Sequence, residues 1–198
     1  GIDISVHSAT KYISGHSDML MGTVACKKEH YAPLLRNFRV TGACPSGDSV
    51  YLAMRGLRTL SVRIKQHYEN AVKVANWLKS RPEVEAVLYP ALPGAPGHDL
   101  WKRDFSGACG LFAFVLKENP AQESLAAMLD HMELFGMGYS WGGYESLITP
   151  ITLGKMRTAS KLPYSGKLLR IHIGLEHPDD LIADLERGFD RMKKAKAA

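Results

Sequence analysis

Apolar and polar side chains alternate from the first residues, Ile2, Ile4 and Val6 against Asp3, Ser5 and His7, the period of two that one strand face requires. The stretch from His7 to Asp18 is then dense in small, polar and turn-forming residues, and apolar character returns from Met19 to Ala25 around Gly22. Two strands flanking a polar loop are expected. Pro45-Ser46-Gly47-Asp48 reads as a turn that opens a helix, with Ser46 or Asp48 able to accept free N–H groups of its first turn. Beyond it Leu57, Leu60, Ile64, Tyr68, Ala71, Ala75 and Leu78 recur at spacings of three and four, one apolar stripe along a long helix that ends before Pro82. Gly56 is the expected hinge in that helix. Val84 to Tyr89 reads as a short strand running into the turn-rich stretch Pro90 to Gly97, and Gly110 to Leu116 as a strand buried on both faces. Asn119-Pro120 is read as the cap and first position of a helix whose stripe is Leu125, Met128, Leu129 and Met132. Leu168 to Ile173 alternates at its centre, which puts Arg170 and His172 on one strand face, and a last helix beginning near Pro178 turns Leu181, Leu185, Phe189 and Met192 inward. Strands and helices mix without a strict βαβ rhythm after the long helix. The chain therefore reads as the end of one α/β domain, residues 1–57, followed by a smaller α+β domain, residues 58–198.

Composition narrows the class without naming a chemistry. In 198 residues, 45% hydrophobic and 23% charged side chains are the proportions of an ordinary globular protein, which excludes a disordered or collagen-like chain. No apolar run approaches the roughly 20 residues of a membrane span, and no signal segment opens the chain. The net charge of +5 is mild and much of it sits in Lys193, Lys194 and Lys196, a solvated helix end, so nucleic acid is not an expected partner. Cys26, Cys44 and Cys109 are odd in number and widely spaced, so neither a disulfide framework nor a zinc site is expected, and a reducing cytoplasm is. Gly1 leads directly into a strand pattern, from which an upstream segment is expected.

Three places attract chemistry. Lys11 stands at a strand-to-loop exit, where a lysine is either simply solvated or condenses with a carbonyl compound as a covalent catalyst. Ser8 and Thr10 beside it offer hydroxyl donors to an anionic group such as phosphate. Ser8-Ala9-Thr10-Lys11 also fits the S-x-x-K pattern of penicillin-recognising serine enzymes, but Met19 follows Ser17-Asp18 and no Lys-Thr-Gly occurs, so acyl transfer at Ser8 is rejected. Phe135 to Ser146 combines four glycines with four aromatics, either a pocket lining or an aromatic-rich turn of the core, and its glycine spacing misses the dinucleotide-loop pattern by one residue. Arg170, between Leu169 and Ile171, either snorkels at a sheet edge or presents its planar fork to a carboxylate. His7, His16 and His172 lack the spacing and carboxylates of a metal site and read as core or hydrogen-bonding histidines.

Taken in order, Ser8-Ala9-Thr10-Lys11-Tyr12 with Gly15-His16-Ser17-Asp18, then Arg55 to Leu60, then Tyr139 to Leu147, then Arg170 to Glu176, resemble the C-terminal half of the transsulfuration enzymes that use pyridoxal phosphate, and within them the bacterial cystathionine β-lyases. The resemblance runs from Gly1 to about Lys193. It implies the pyridoxal-phosphate-dependent transferase fold of aspartate aminotransferase type. It implies that Lys11 resembles the lysine that carries the cofactor and then moves the substrate Cα proton, and that Ser8 and Thr10 resemble its phosphate contacts. Arg170 resembles the residue that binds the substrate α-carboxylate, and Ser140 the one that orients Lys11 and that carboxylate. Tyr139 and Trp141 resemble the pocket wall of β-lyases, where γ-synthases and γ-lyases generally carry a smaller aliphatic residue in place of the tryptophan. The implied activity is β-elimination of L-cystathionine in methionine biosynthesis, by a homotetramer acting on a small amino-acid substrate. The family's acid opposite the pyridine nitrogen, its ring-stacking tyrosine and its phosphate loop fall upstream of Gly1, so the 198 residues alone are expected to be inactive. Two alternatives stand beside this one: an enzyme of γ-specificity, and an inactive C-terminal domain that serves only subunit assembly.

Overall fold

The computed structural model describes residues 1–153, 159–160 and 163–197. Two sheets organise it. Strand β1 (Ile4–Ser8) pairs antiparallel with β2 (Gly22–Cys26), Val6 opposite Val24, and the polar loop between them closes over a small core of Ala9, Met19 and Ala53. Helix α1 (Lys28–Thr41) follows, an element that no apolar stripe announced, and none of its side chains is buried among the described residues.

The long helical stripe divides into α2 (Gly47–Arg58) and α3 (Leu60–Ser80). Ser46 caps α2 as its sequence position suggests, accepting from the Ser49 N–H. The break lies at Thr59 and not at the expected hinge Gly56. Thr59 leaves helical geometry (φ −109°, ψ 5°), while its N–H and hydroxyl both return to the Gly56 carbonyl. Gly56 is buried inside α2 and serves close approach: a Cβ there would strike the carbonyls of Ile13 and Ser14.

The second sheet has the order β3 (Val84–Leu88), β4 (Leu111–Leu116), β7 (Leu168–His172), β6 (Ser146–Ile151), β5 (Phe135–Met137), antiparallel except for the parallel β5–β6 edge. Alternate residues of its central strands, Phe112 and Phe114, Leu169 and Ile171, join Val74 and Leu78 of α3, Met128 of α5 (Gln122–Leu129) and Leu181, Leu185 and Phe189 of α6 (Pro178–Ala197) in one core. The interleaved Arg170 and His172 lie on the other sheet face, Arg170 against the Trp141 ring and His172 against Tyr12 of the Lys11 loop and His67 near the start of α3. A short α4 (His98–Asp104) interrupts the stretch after β3. Helix α5 starts later than Asn119-Pro120 suggests. Ala121 occupies its cap position and the Asn119 amide instead donates to the Ser165 carbonyl, 2.7 Å away, so the asparagine joins two loops. Met132 lies beyond the end of α5 and packs against the core from there.

Candidate active site

The loop that carries Lys11 is wound tightly by its own backbone: Lys11 N–H donates to Ser8 O, Ser14 N–H to Ala9 O and Gly15 N–H to Lys11 O, at 2.8–3.2 Å. Its outside is held by Arg63 from α3. The guanidinium donates to Tyr12 O (2.8 Å), Ile13 O (3.1 Å) and Gly56 O (2.7 Å), and its Nε to Thr59 Oγ1 (3.1 Å). All four acceptors are neutral oxygens, and with 7% of its surface exposed the arginine is a buried clamp on the loop, not an ion pair. Gly15 makes room for it, with φ +71° and no side chain to collide with the guanidinium.

Facing Lys11 is the glycine- and aromatic-rich stretch, whose larger part forms a loop between β5 and β6. Lys11 Nζ donates to Ser140 Oγ at 2.8 Å and stands 4.4 Å from the centre of the Trp141 ring. The Arg170 guanidinium lies 5.6 Å from the same ring and 5.5 Å from that of Tyr139, and it donates to the Tyr139 carbonyl. One indole thus has an ammonium and a guanidinium against it. Two cations on one indole, partnered by a hydroxyl, a carbonyl and aromatic faces, attract a carboxylate or phosphate. Gly142 is what lets the two loops meet. At φ +82° its missing Cβ would lie 2.7 Å from Tyr12 N and 3.0 Å from Lys11 Cα. Its N–H donates to Nε2 of His172 (3.1 Å), a histidine 1% exposed on β7.

Beneath Lys11, the Tyr12 ring meets the edges of His67 and His172, with ring centres 5.3 and 5.9 Å away, and its hydroxyl accepts the Gly110 N–H. Burial holds the Tyr12 phenol protonated far above its usual range. Burial also pushes His172 down to about 4, helped by the charges of Arg170 and Lys11, and lowers His67 for the same first reason.

Of the residues singled out in the sequence, Lys11, Tyr139, Ser140, Trp141 and Arg170 come together. Ser8 and Thr10 lie on the approach to Lys11 instead. Ser8 is exposed at the end of β1, and the Thr10 hydroxyl accepts from Met21 N–H (3.0 Å) and faces Met21 O (3.3 Å) across the loop. The clamp Arg63 and the support His172 were not singled out as site residues. Arg63 lies on an apolar-stripe helix like any solvated arginine, and nothing in its neighbours announces three carbonyls from elsewhere in the chain.

Comparison with known proteins gives the chain a family. Residues 1–190 match the model of the Cys/Met metabolism PLP-dependent enzyme family. The chain is 50% identical over 195 residues to the cystathionine beta-lyase MetC of Escherichia coli (strain K12), which covers 97% of this chain and 49% of that protein. It is 43% identical over 193 residues to an L-alanine/L-glutamate racemase of Wolbachia pipientis wMel, covering 97% of this chain and 48% of the relative. A crystal structure of cystathionine gamma synthase from Xanthomonas oryzae pv. oryzae, in complex with aminoacrylate and cysteine, superimposes with a TM-score of 0.86 at 34% identity over 98% of this chain and 51% of that one. The chain spans about half the length of the curated relatives it matches. From the family match and the superposition together, the fold is that of the pyridoxal-phosphate-dependent transferases, and the chain belongs to the Cys/Met metabolism PLP-dependent enzymes.

Proposed function

We propose that the whole protein catalyses β-elimination of L-cystathionine with pyridoxal phosphate, and that this chain supplies the lysine and the carboxylate-binding side of the site. The observation that carries this reading is the single indole of Trp141 set against both the Lys11 ammonium and the Arg170 guanidinium, with Ser140 bonded to the lysine. The residues present fit the cofactor. Lys11 is half-buried and bonded to a hydroxyl, the glycine contact at Gly142 fixes its backbone, and the exposed hydroxyl of Ser8, three residues before Lys11, is free to hold the phosphate, whereas that of Thr10 is bonded to Met21. When bound, pyridoxal phosphate supplies an electron sink for the pair left at the substrate Cα. The chain's own residues do the rest. Arg170 pairs its fork with the α-carboxylate, Ser140 and Tyr139 hold Lys11 and Arg170 in register, and Trp141 and Tyr139 wall the thioether side. As a neutral amine, Lys11 Nζ takes the Cα proton and passes it to the departing homocysteine sulfur. Cystathionine and water then give homocysteine, pyruvate and ammonia. A homotetramer in the cytoplasm, with a large-domain boundary near residue 57, belongs to the same proposal. Among the described residues, no helix is long and apolar enough to cross a membrane.

The test is product analysis with the full-length, cofactor-loaded protein and L-cystathionine. Pyruvate and homocysteine in equal amounts support β-elimination. Cysteine with 2-oxobutyrate would instead establish γ-cleavage, and solvent exchange at Cα without C–S cleavage would make racemisation the reaction.

A further inference from the structure

Two buried ring nitrogens lack a partner among the described residues, His67 Nε2 and His172 Nδ1, on histidines 0% and 1% exposed. Buried polar atoms are rarely left unpaired, and both orphans belong to one cluster, with ring centres 5.3 Å apart. Their other nitrogens fix what each orphan is. His67 Nδ1 faces the Ile173 carbonyl at 2.8 Å, and a carbonyl only accepts, so Nδ1 carries the proton and Nε2 is a bare acceptor. Gly142 N–H points at His172 Nε2, and a peptide N–H only donates, so that nitrogen is bare and the proton sits on Nδ1. The Gly143 carbonyl, 3.2 Å from the same Nε2, could claim a proton there, but a hydrogen on Nε2 would then meet the Gly142 hydrogen head on. One orphan is a donor and the other an acceptor. The Tyr12 hydroxyl is engaged elsewhere: it takes the Gly110 N–H at 3.1 Å and shares a hydrogen bond with the Cys109 thiol.

We propose that His172 and His67 are a hydrogen-bonded pair of neutral histidines, His172 Nδ1–H facing His67 Nε2, that positions the Ser140–Trp141–Gly142 turn over Lys11. A small ring rotation, or one water between the rings, closes the pair. The chain of bonds then runs from Gly142 N–H through His172 and His67 to the Ile173 carbonyl, and it ties the turn that carries Ser140 and Trp141 to helix α3 and the end of β7. His67 touches neither Gly142 nor Lys11 by any hydrogen bond seen here, so it is a positioning residue acting through His172. Its effect on substrate rests on the proposed reaction, whereas the proton positions and the order of the turn do not.

Nitrogen-15 chemical shifts of histidine in the unmodified, full-length protein test the pair without any substitution. Protons on Nδ1 of both rings are expected, and a proton on Nε2 of either ring overturns the proposal. Amide hydrogen exchange at Gly142, read by mass spectrometry with residue-level fragmentation, tests the coupling. His67→Phe and His172→Phe are each expected to speed it about tenfold, the size of one lost buried hydrogen bond, with the double variant adding less than about twofold more. His67→Gln keeps an acceptor and should stay close to the parent protein. Exchange unchanged in His67→Phe while His172→Phe speeds it would mean that His172 acts alone and would sink the pairing. In turnover assays, His67→Phe should raise KM severalfold with a smaller change in kcat, and His67→Gln should restore it; a KM unmoved by His67→Phe would overturn the positioning role. Failure of the β-elimination reading would leave the shift and exchange results standing.

Discussion

Arg170 and Arg63 show how one residue type serves two ends in this chain. Arg170 is half-buried against two aromatic rings with a backbone carbonyl as its partner, an arrangement that leaves its fork free to turn to an incoming carboxylate. Replacing it by lysine keeps the charge and loses the bidentate geometry, so kcat/KM for cystathionine should fall by roughly two to three orders of magnitude while the cofactor's absorption band stays in place. A loss of the band itself would make Arg170 a cofactor residue. Arg63 spends its donors on Tyr12, Ile13, Gly56 and Thr59, all within the protein. The sequence could separate the two only in part. Arg170 sits between apolar neighbours in a strand, an anomaly that asks for a reason, whereas Arg63 sits among polar and apolar positions of a helix where an arginine needs none. The same holds for Lys11 and Ser140, which are 129 residues apart. Each is unremarkable alone, and only an ordered set of motifs brought them into one site before the fold did.

Among the long helices, legibility followed whether the apolar face meets the rest of this chain. Helices α3 and α6 bury Ala71, Leu78, Leu185 and Phe189 and were written plainly by spacing. Helix α1 has Tyr31 and Val40 exposed and carries Pro33 inside it, so neither period nor breaker pattern marked it. Strand β6 hides behind Pro150, and β5 is three residues long. Gly56 was misjudged because a glycine in a helix signals a bend as well as it signals a contact, and one substitution separates the two. If Gly56 were a hinge, Gly56→Ala would stabilise the helix by about 1 kcal/mol through propensity alone. The new methyl would instead meet Ser14 Cα at 2.8 Å and crowd two loop carbonyls, so the expected result is a net loss of about 2 kcal/mol in urea unfolding. A stabilised variant would restore the hinge.

Across the whole molecule, the buried histidines make stability depend on pH. His172 is pushed down to about 4 in the folded chain from an ordinary value of 6.5, because it is buried and because His67, Arg170 and Lys11 face it, and despite the favourable Gly143 carbonyl; burial lowers His67 the same way, with the Ile173 carbonyl and then Glu176 opposing. Between those two values the unfolded chain binds more protons than the folded one. The stabilisation is therefore complete above about pH 6.5 and drains away as the pH falls toward 4, on the order of 3 kcal/mol from His172. Urea midpoints should drop over that range and drop less in His172→Gln; equal slopes would remove His172 as the cause. The distribution of apolar surface leads to the last expectation. Ile2 (79% exposed), Val6 (76%), Leu20 (83%) and Val40 (78%) all lie on or beside β1, β2 and α1, while the five-stranded sheet and its helices bury a continuous core. This small sheet with its exposed apolar residues is also the part that carries Lys11. The second sheet should fold cooperatively in the isolated 198-residue chain, whereas the Lys11 loop, braced on one side only, should hold pyridoxal phosphate weakly enough to be lost on dialysis. Pyruvate release from cystathionine by the purified chain, with mass spectrometry excluding any companion peptide, is the measurement. No release is expected, and turnover comparable to that of the full-length protein would mean that the groups needed for the reaction all lie within these residues.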